Sequence, residues 1–479
     1  MAHSPDTLDP VDWSAFRQQM HALVDACLDQ LQDVRAHPWR PLDESARELV
    51  ALGDAQMGVG LAATANELLT NILPHHSGNT HPRFFGWVQG TGTMAGLMAE
   101  VVAATMNSNC GGREHGAIHV EREVIRWCAA CFGLPATTSG VLTTGTSQAT
   151  VIALATARLQ ALGGDSRRQG IHGGPRLTMY AAEGVHNAIV KAAELIGIGS
   201  EALRCIPVDP ASGSMDPERL AEAVRRDRGA GLLPFCVVGT AGSVDRGSFD
   251  RLDLLAELCA AEGLWFHVDG AFGAWARLAE APWSDLVRGI DRADSLALDF
   301  HKWMFVQYDC GLILIRDEAK HRAAFAARPA YLAVQGAGLG GGDPWYCDYG
   351  TDLSRSFRAL KVWATLRAYG SEQLGAAITR NCRLAALMAQ LVEAAPELEL
   401  VARVDANVCC FSVVGEGVEV VNAGVVARLQ LSGCAVFSTT RIDGRTVMRA
   451  AIVNHRTSVE DVHFAIRGVV EAVRGSSGG

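Results

Sequence analysis

The stretch Leu296-Ala-Leu-Asp-Phe-His-Lys-Trp303 places a lysine just after a short apolar run. Such a run predicts a buried β-strand, and Lys302 follows its carboxyl end. A lysine that loses hydration at a buried strand end becomes a usable amine nucleophile. The ordinary alternative is a lysine at the mouth of a strand with its charged head in solvent. The rest of the chain decides between these two interpretations.

Short β-rich runs alternate with helical runs between about residue 140 and residue 315. The predicted strands are 141–144, 176–181, 235–239, 264–268 and 311–315, and the predicted helices include 187–198 and 250–262. This alternation predicts an α/β fold with a mainly parallel sheet that helices cover on both faces. Ligands of such sheets bind at the carboxyl ends of the strands.

The order of the predicted elements changes after about residue 365. The predicted elements there are a helix at 372–394, strands near 407–414, 435–438 and 446–452, and helices at 418–431 and 459–473. We therefore expect a smaller α+β C-terminal domain over residues 366–479. It follows a large domain over residues 76–365 and a helical N-terminal segment over residues 1–75.

A glycine-led turn precedes one of the predicted helices. In Gly145-Thr-Ser-Gln-Ala-Thr150, the backbone N–H groups of a helix N-terminus and the hydroxyls of Thr146 and Ser147 suit a phosphate. The same residue types also cap helices without any ligand, so the motif alone leaves both interpretations open.

A histidine and an aspartate follow two of the other predicted strands. His186, in Glu183-Gly-Val-His, could stack on a flat heterocycle or be a structural residue. Asp269 ends the run Trp265-Phe-His-Val-Asp and could pair with a protonated pyridine nitrogen, or simply start a turn. Ala271 would leave room for the face of a ring.

These features converge on one cofactor. Lys302 lies about one helix–strand unit after Asp269, so both are expected at the same edge of the sheet. The chain thus offers a phosphate-binding turn, a histidine that can stack on a ring, a carboxylate for a pyridinium nitrogen and an amine. Together these groups predict pyridoxal phosphate. The protonated ring of this cofactor accepts electrons during catalysis.

Three motifs carry a family resemblance: the triplet His301-Lys302-Trp303, the run His267-Val-Asp-Gly-Ala271, and Ala293-Asp-Ser295. Together they resemble the group II pyridoxal-phosphate-dependent amino-acid decarboxylases. That family includes aromatic L-amino-acid, glutamate, cysteine sulfinate and diaminobutyrate decarboxylases. The resemblance runs from about residue 75 to the C-terminus. It implies the aspartate-aminotransferase-like fold (fold type I) and a homodimer with active sites at the subunit interface.

The resemblance also implies roles for single residues. Lys302 would hold the cofactor covalently, Asp269 would pair with its ring nitrogen, and His186 would stack on the ring and take part in catalysis. The remaining implied cofactor contacts are Thr146, Ser147, Ala271, Ser295 and His301.

Two positions near the implied site call for separate comment. Tyr331, in Arg328-Pro-Ala-Tyr-Leu-Ala, matches the tyrosine of the family's mobile loop, which is implied to help protonate the carbon that CO2 leaves. Asp299 stands where the family often has asparagine. A carboxylate there would be repelled by a nearby phosphate.

The residues expected around the substrate point to two different substrate classes. Trp87 and Val88 could face an aromatic side chain, whereas Asn107 and Asn109 resemble the Asn-x-Asn of glutamate-type members. Buried polar groups would require a hydrogen-bonding substrate. Trp87 could instead belong to the core, and the two asparagines could cap a turn. We expect decarboxylation of an aromatic L-amino acid, with an acidic or other polar amino acid as the alternative.

Other reaction types also stay open at this point. An aldehyde synthase or aminotransferase would use the same cofactor, and transaminases of this fold usually carry an arginine for the α-carboxylate. The candidates for that arginine are Arg355, Arg358 and Arg449. A non-catalytic relative is the least favoured alternative, because Asp269 and Lys302 are both present.

Composition narrows the possible partners and locations. The 479 residues carry a formal net charge of −10 without clustered positive charge, which argues against nucleic acid and anionic membranes as partners. The 13 cysteines suggest reduced thiols in a cytoplasm. Cys128 and Cys131 form a C-x-x-C with no second pair to complete a zinc site, so we expect no metal. The expected partner is a small amino-acid substrate.

Overall fold

The computed structural model describes residues 7–42, 44–52, 58–327, 336–415 and 417–476. Within them the α-helices are, in chain order, α1 (Trp13–Gln32), α2 (Glu44–Glu48), α3 (Leu61–Glu67), α4 (Met94–Met106), α5 (Gly116–Cys131), α6 (Thr146–Leu162), α7 (Ser166–Gln169), α8 (Asn187–Leu195), α9 (Pro217–Gly229), α10 (Leu252–Glu262), α11 (Glu318–Phe325), α12 (Ala359–Ala394), α13 (Val418–Leu431) and α14 (Val459–Ser476). None of these helices is both long and apolar enough to span a lipid bilayer.

Two sheets contain the strands of the described residues. The strands are β1 (Ser139–Thr143), β2 (Leu177–Ala182), β3 (Leu203–Ile206), β4 (Leu233–Thr240), β5 (Trp265–Asp269), β6 (Ser295–Asp299), β7 (Gly311–Ile315), β8 (Leu398–Leu400), β9 (Val408–Val413), β10 (Ser438–Ile442) and β11 (Arg445–Ala451). The seven-stranded sheet has the order β1-β7-β6-β5-β4-β2-β3, and the four-stranded sheet has the order β10-β11-β9-β8.

The larger sheet is mainly parallel, as the sequence predicts. Strands β6, β5, β4, β2 and β3 run parallel to one another, and β7 is antiparallel to the two strands beside it, β6 and β1. All residues of β1, β2, β5, β6 and β7 are buried. Near-continuous apolar strands of this kind are typical of a sheet covered on both faces. The fold class of the prediction is therefore confirmed.

The parallel direction brings the ends of β4, β5 and β6 to one edge. Thr240 at the end of β4 pairs in register with Asp269 at the end of β5, and Asp269 pairs with Ala297 of β6. Lys302 follows β6 by three residues. The edge that binds ligands in such sheets therefore carries the aspartate and the lysine together.

Some elements differ from their predicted positions. Strand β3 and helix α9 were not predicted, because β3 is a short edge strand that contains Arg204 and α9 is rich in charged residues. Residues 435–437 were predicted to form a strand, but β10 begins at Ser438. Val436 instead forms an isolated bridge with Phe84, and its carbonyl accepts a hydrogen bond from Phe85 N.

The four-stranded sheet packs with α12, α13 and α14 around a second apolar cluster, which includes Phe411, Phe437 and Met448. The predicted domain boundary at residue 365 falls inside α12, close to Gly370, where the helix has a non-helical backbone conformation. The division into domains stays a prediction.

Candidate active site

Lys302 lies at the carboxyl end of β6 and is fixed by its neighbours in the chain. Its Nζ is 2.7 Å from Asp299 Oδ2, the geometry of an ion pair, and 20% of its side chain is exposed. Trp303, the next residue, is fully buried, and its Nε1 donates a hydrogen bond of 3.0 Å to Asn381 Oδ1. This anchor on α12 holds the turn that presents Lys302.

Asp299 joins the end of β6 to the start of α6. Thr146 N donates to Asp299 Oδ1 at 2.8 Å, and Thr146 Oγ1 donates to Asp299 Oδ2 at 3.0 Å. The side chain of Asp299 is 2% exposed. A single buried carboxylate therefore bonds both to the first residue of α6 and to Lys302, a contact that the sequence did not predict.

The N-terminus of α6 offers donors to an anion. Its N-cap residue, Gly145, provides no side-chain cap. Because the first backbone N–H groups of a helix have no partner inside the helix, those of Ser147 and Gln148 are left for an outside acceptor. The Ser147 side chain is exposed, whereas Thr146 is buried. This end of α6 can therefore bind a phosphate through Ser147.

Asp269 is a buried carboxylate at the end of β5. Its Oδ1 accepts a hydrogen bond of 3.2 Å from Ala271 N. Burial raises the pKa of Asp269, and the nearby Lys302 and His186 charges oppose that rise. Beside it, Thr240 Oγ1 has no hydrogen-bond partner within the described part of the chain, although it is buried. Both groups suit a polar ligand with a cationic nitrogen.

His186 begins α8 as its N-cap residue. Its Nδ1 accepts a hydrogen bond of 3.1 Å from Ala188 N, which fixes the ring, and the residue is exposed. His186 follows β2, whose carboxyl end lies at the same edge of the parallel sheet as the end of β5. The structure thus leaves a fixed, open imidazole near the edge that carries Asp269 and Lys302.

Two other predicted cofactor contacts have structural partners. His301 is buried, its Nδ1 accepts from Cys310 N at 3.0 Å, and its ring contacts that of Tyr308, with centroids 4.2 Å apart and ring planes tilted by 32°. Burial lowers the pKa of His301, and the Asp299 charge opposes this. Ser295 lies at the opposite end of β6 from Lys302, and its hydroxyl contacts Trp265 Nε1 and His267 Nδ1.

The loop at residues 81–90 packs against the backbone of Lys302. A Cβ added to Gly90 would lie 2.2 Å from His301 O and 2.5 Å from Lys302 O, so only glycine permits this approach. Trp87 in the same loop is 54% exposed, and its ring lies 6.2 Å from that of Phe84. The loop therefore carries an accessible aromatic residue three positions before the glycine that contacts the backbone of Lys302.

The two asparagines predicted for the substrate pocket differ in their surroundings. Asn107 ends α4 in a left-handed conformation and is exposed. Asn109 Oδ1 accepts hydrogen bonds from Gly111 N at 2.9 Å and from Arg355 N at 3.0 Å, so it caps a turn. No contact within the described residues links either asparagine to Lys302.

The three candidate arginines can be told apart by their partners. Arg355 is bound to Glu121 in a buried ion pair, and Arg358 Nε donates to Asp309 Oδ1 at 2.9 Å. Arg449 is buried and donates to Trp87 O and Asp245 O, but its Nη2 has no partner among the described residues. Burial lowers the pKa of Arg449.

Tyr331 lies outside the described residues. Tyr308 and Thr240 are described residues near the site that sequence reasoning missed. Tyr308 contacts His301, and Thr240 pairs in register with Asp269. Both contacts depend on tertiary structure, so a local sequence motif does not predict them.

Comparisons with known proteins cover nearly the whole chain. A family model for the pyridoxal-dependent decarboxylase conserved domain matches residues 61–414. The chain is 28% identical over 471 residues to aromatic-L-amino-acid decarboxylase of Bacillus atrophaeus, with 96% of each protein covered. It is 29% identical over 468 residues to phenylacetaldehyde synthase of Arabidopsis thaliana, with 94% of each covered. The crystal structure of Oryza sativa TDC with PLP and tryptamine matches with a TM-score of 0.89 and 25% identity, over 98% of this chain and 100% of that one.

Proposed function

Because the chain belongs to the pyridoxal-dependent decarboxylase family, we propose that it converts an aromatic L-amino acid to the corresponding amine and CO2. Family membership makes the protein a carboxy-lyase that uses pyridoxal 5'-phosphate. The proposed cofactor-dependent chemistry is supported chiefly by the position of Lys302 and Asp269, which lie at the ends of adjacent parallel strands.

The residues at this edge fit pyridoxal phosphate. Asp269 is a buried carboxylate whose pKa is raised by burial, so a cationic ring nitrogen would stabilise its charged form. The exposed ring of His186 can cover one face of a flat heterocycle, and Ala271 leaves space beside it. The hydroxyl of Thr240, which has no hydrogen-bond partner among the described residues, and the N–H groups at the start of α6 can satisfy polar atoms of the ligand.

Each residue has a separate proposed task. When bound, pyridoxal phosphate supplies an electron sink for the bonding pair that departing CO2 leaves behind. Lys302 holds the cofactor through its amine, and Asp269 keeps a proton on the ring nitrogen. His186 fixes the ring plane, and Ser147 holds the phosphate. Tyr331 delivers the proton to the α-carbon, a role that rests on the family resemblance.

Two observations support an aromatic substrate. Trp87 and the neighbouring Val88 lie on the loop that packs on Lys302, and Trp87 is accessible to a ligand. One relative that covers 96% of the chain is an aromatic-L-amino-acid decarboxylase. Asn109 is engaged in its own turn, which weakens the case for a polar pocket built from Asn107 and Asn109.

Arg449 is the residue we propose for the substrate α-carboxylate. Its buried Nη2 has no partner in the part of the chain that the structure describes, which is costly unless an acceptor reaches it, and its Nη1 donates to the carbonyl oxygen of Trp87. Arg355 and Arg358 are already paired with carboxylates.

A second candidate function is an aldehyde synthase. It is favoured by the similarity to phenylacetaldehyde synthase, which spans 94% of both proteins. The same cofactor and the same bond cleavage serve both reactions, and the difference lies in whether a proton or oxygen reaches the α-carbon. The decarboxylase is preferred because His186 and Tyr331 are both present.

The decisive experiment is a substrate screen of the full-length protein with pyridoxal phosphate. It covers all proteinogenic amino acids, DOPA, cysteine sulfinate and diaminobutyrate, and measures CO2, amine, aldehyde and peroxide together. We expect CO2 with an equal amount of amine from aromatic substrates. Lys302→Arg is the matched control, because it keeps a cation beside Asp299 and removes the primary amine. CO2 from an acidic or basic substrate alone would reject the aromatic assignment, and aldehyde with peroxide would favour the second candidate.

We also propose that the chain acts as a homodimer in the cytoplasm. The dimer is supported by the exposed apolar residues of α1 and α4. We propose as well that the chain comprises an N-terminal helical segment (1–75), a large domain (76–365) and a small C-terminal domain (366–479). The negative net charge argues for a small-molecule partner in place of nucleic acid or membrane.

A further inference from the structure

Asp299 accepts a hydrogen bond from a backbone N–H that a phosphate at the start of α6 could otherwise use. Thr146 N is the first backbone N–H of the helix, and it donates to Asp299 Oδ1 at 2.8 Å. The hydroxyl of Thr146 donates to the other oxygen of the same carboxylate. The end of α6 that suits a phosphate therefore already carries a carboxylate.

The carboxylate is held in place from several directions. Asp299 N donates to Ala271 O at 2.9 Å, and Asp299 O accepts from Trp275 Nε1 at 2.9 Å, so its backbone is fixed. A Cβ added to Gly311 would lie 2.8 Å from Asp299 Oδ1. Asp299 cannot turn away from α6 without losing both bonds to Thr146.

The positive charge that faces Asp299 belongs to Lys302. The two side chains are 2.7 Å apart, and His301 Nε2 lies 3.8 Å from Asp299 Oδ2. The amine of Lys302 is the group that holds the cofactor, so cofactor binding competes with this ion pair. A phosphate bound at the start of α6 would also lie next to the carboxylate that contacts Thr146. The partial positive charge of one helix N-terminus, about half an elementary charge, cannot neutralise both anions.

We propose that Asp299 selects against the phosphate of the cofactor, and so weakens the preference of the protein for pyridoxal phosphate over pyridoxal. This inference rests on pyridoxal phosphate being the cofactor. It assigns Asp299 a positioning role: the carboxylate holds Thr146 and Lys302 in the cofactor-free protein and opposes the phosphate when the cofactor binds.

The test compares two ligands that share the ring and the aldehyde and differ in the phosphate. Full-length protein freed of cofactor is titrated with pyridoxal phosphate and with pyridoxal, and the ratio of the two dissociation constants is measured. Effects that act only through Lys302 change both constants equally and cancel in the ratio. The protein variants are wild type, Asp299→Asn and Asp309→Asn.

We expect Asp299→Asn to increase the preference for pyridoxal phosphate by at least about tenfold, because an amide removes the charge and keeps an acceptor for Thr146 N. Asp309→Asn removes a charge from the same loop, where it pairs with Arg358, and is expected to leave the ratio unchanged. Asp299→Ser is the second variant if the amide does not fold, and it is expected to shift the ratio in the same direction. An unchanged or lowered ratio in the Asp299 variants would overturn the proposal, as would an equal increase in Asp309→Asn.

Discussion

Two buried aspartates set the charge at the edge where β5 and β6 end. Asp269 has a single backbone hydrogen bond and a pKa raised by burial, whereas Asp299 has Thr146 and Lys302 as partners. Two unit charges about 4 Å apart interact by about 4 kcal/mol at an effective dielectric constant of about 20. A helix N-terminus stabilises an anion by about 0.3–1 kcal/mol. For a phosphate bound at such a distance from Asp299, repulsion would therefore outweigh the helix contribution, whereas Asp269 is the carboxylate suited to a cationic ring.

At the same scale, the role we propose for Tyr331 would decide which product forms. If its phenol protonates the α-carbon, Tyr331→Phe should lower amine formation by about 100-fold or more, since general acid catalysis contributes about 10²–10⁴-fold. The carbon that CO2 leaves would then react with O2, and aldehyde, ammonia and peroxide would replace the amine. Product analysis under air measures the ratio. Tyr369→Phe on α12 is the control and should keep the wild-type ratio. Unchanged amine output from Tyr331→Phe would remove the role.

The sequence could predict where single residues stand relative to strands, but not their partners. Lys302 and Asp269 each follow an apolar run, so their common edge could be inferred from the chain order. The bonds between Asp299 and Thr146 join residues 153 positions apart, and no local pattern encodes them. The sequence therefore identified Asp299 as a residue that differs from the family, whereas its hydrogen-bond partners are evident only in the tertiary structure.

At the scale of elements, α12 connects the two parts of the structure. It packs against α4 and α5 of the first part and against α14, β8 and β9 of the second. Gly370 interrupts it with φ 67° and ψ 165°. The predicted helix began at residue 372 because the sequence pattern captured only the part after this break. A positive φ of this kind is open to glycine and strained for other residues.

Gly370→Ala should lower the free energy of unfolding by about 1–3 kcal/mol, because φ 67° with ψ 165° lies in a backbone region essentially restricted to glycine. No atom of the described residues lies within 4 Å of the position of the added methyl group, so the cost comes from the backbone conformation. Gly424→Ala in α13 is the matched control. Its added methyl group also meets nothing within 4 Å, but its backbone is helical, so alanine should stabilise by up to about 1 kcal/mol. Denaturant unfolding of both variants measures the difference, and equal effects would contradict the argument.

Element boundaries were predictable where one face of the element is apolar. The range of α13 matches its prediction at 418–431, and the strand near 407–414 is β9. The short strand β8 was missed, because three residues carry too little pattern. The run 435–437 is apolar because it packs beside the loop that contains Phe84 and Phe85, which only the folded chain reveals.

At the scale of the whole molecule, two helices expose apolar side chains that a single chain does not cover. Helix α1 has 20 residues and none of them is buried. The exposed apolar residues of these two helices are Trp13, Met20, Val24, Leu28, Met94, Met98, Val101, Val102 and Met106. Since helices in proteins are stabilised chiefly by packing of an apolar face, we propose that α1 packs against a surface of another chain. A second copy supplies it in the proposed homodimer.

The proposed dimer predicts the effect of introducing a charge on the exposed face of α4. Met98 on α4 is 71% exposed in the single chain, and Met98→Asp would place an unpaired carboxylate in the interface. We expect the full-length variant to be a monomer at concentrations where the wild type is a dimer, and to lose activity in proportion, because the resemblance places the active sites at the interface. Leu195→Asp on α8 is the control: Leu195 is 73% exposed and lies outside α1 and α4, so the dimer should persist. Light scattering and sedimentation give the masses. A monomeric wild type, or a dimeric Met98→Asp, would show that these helices have another partner.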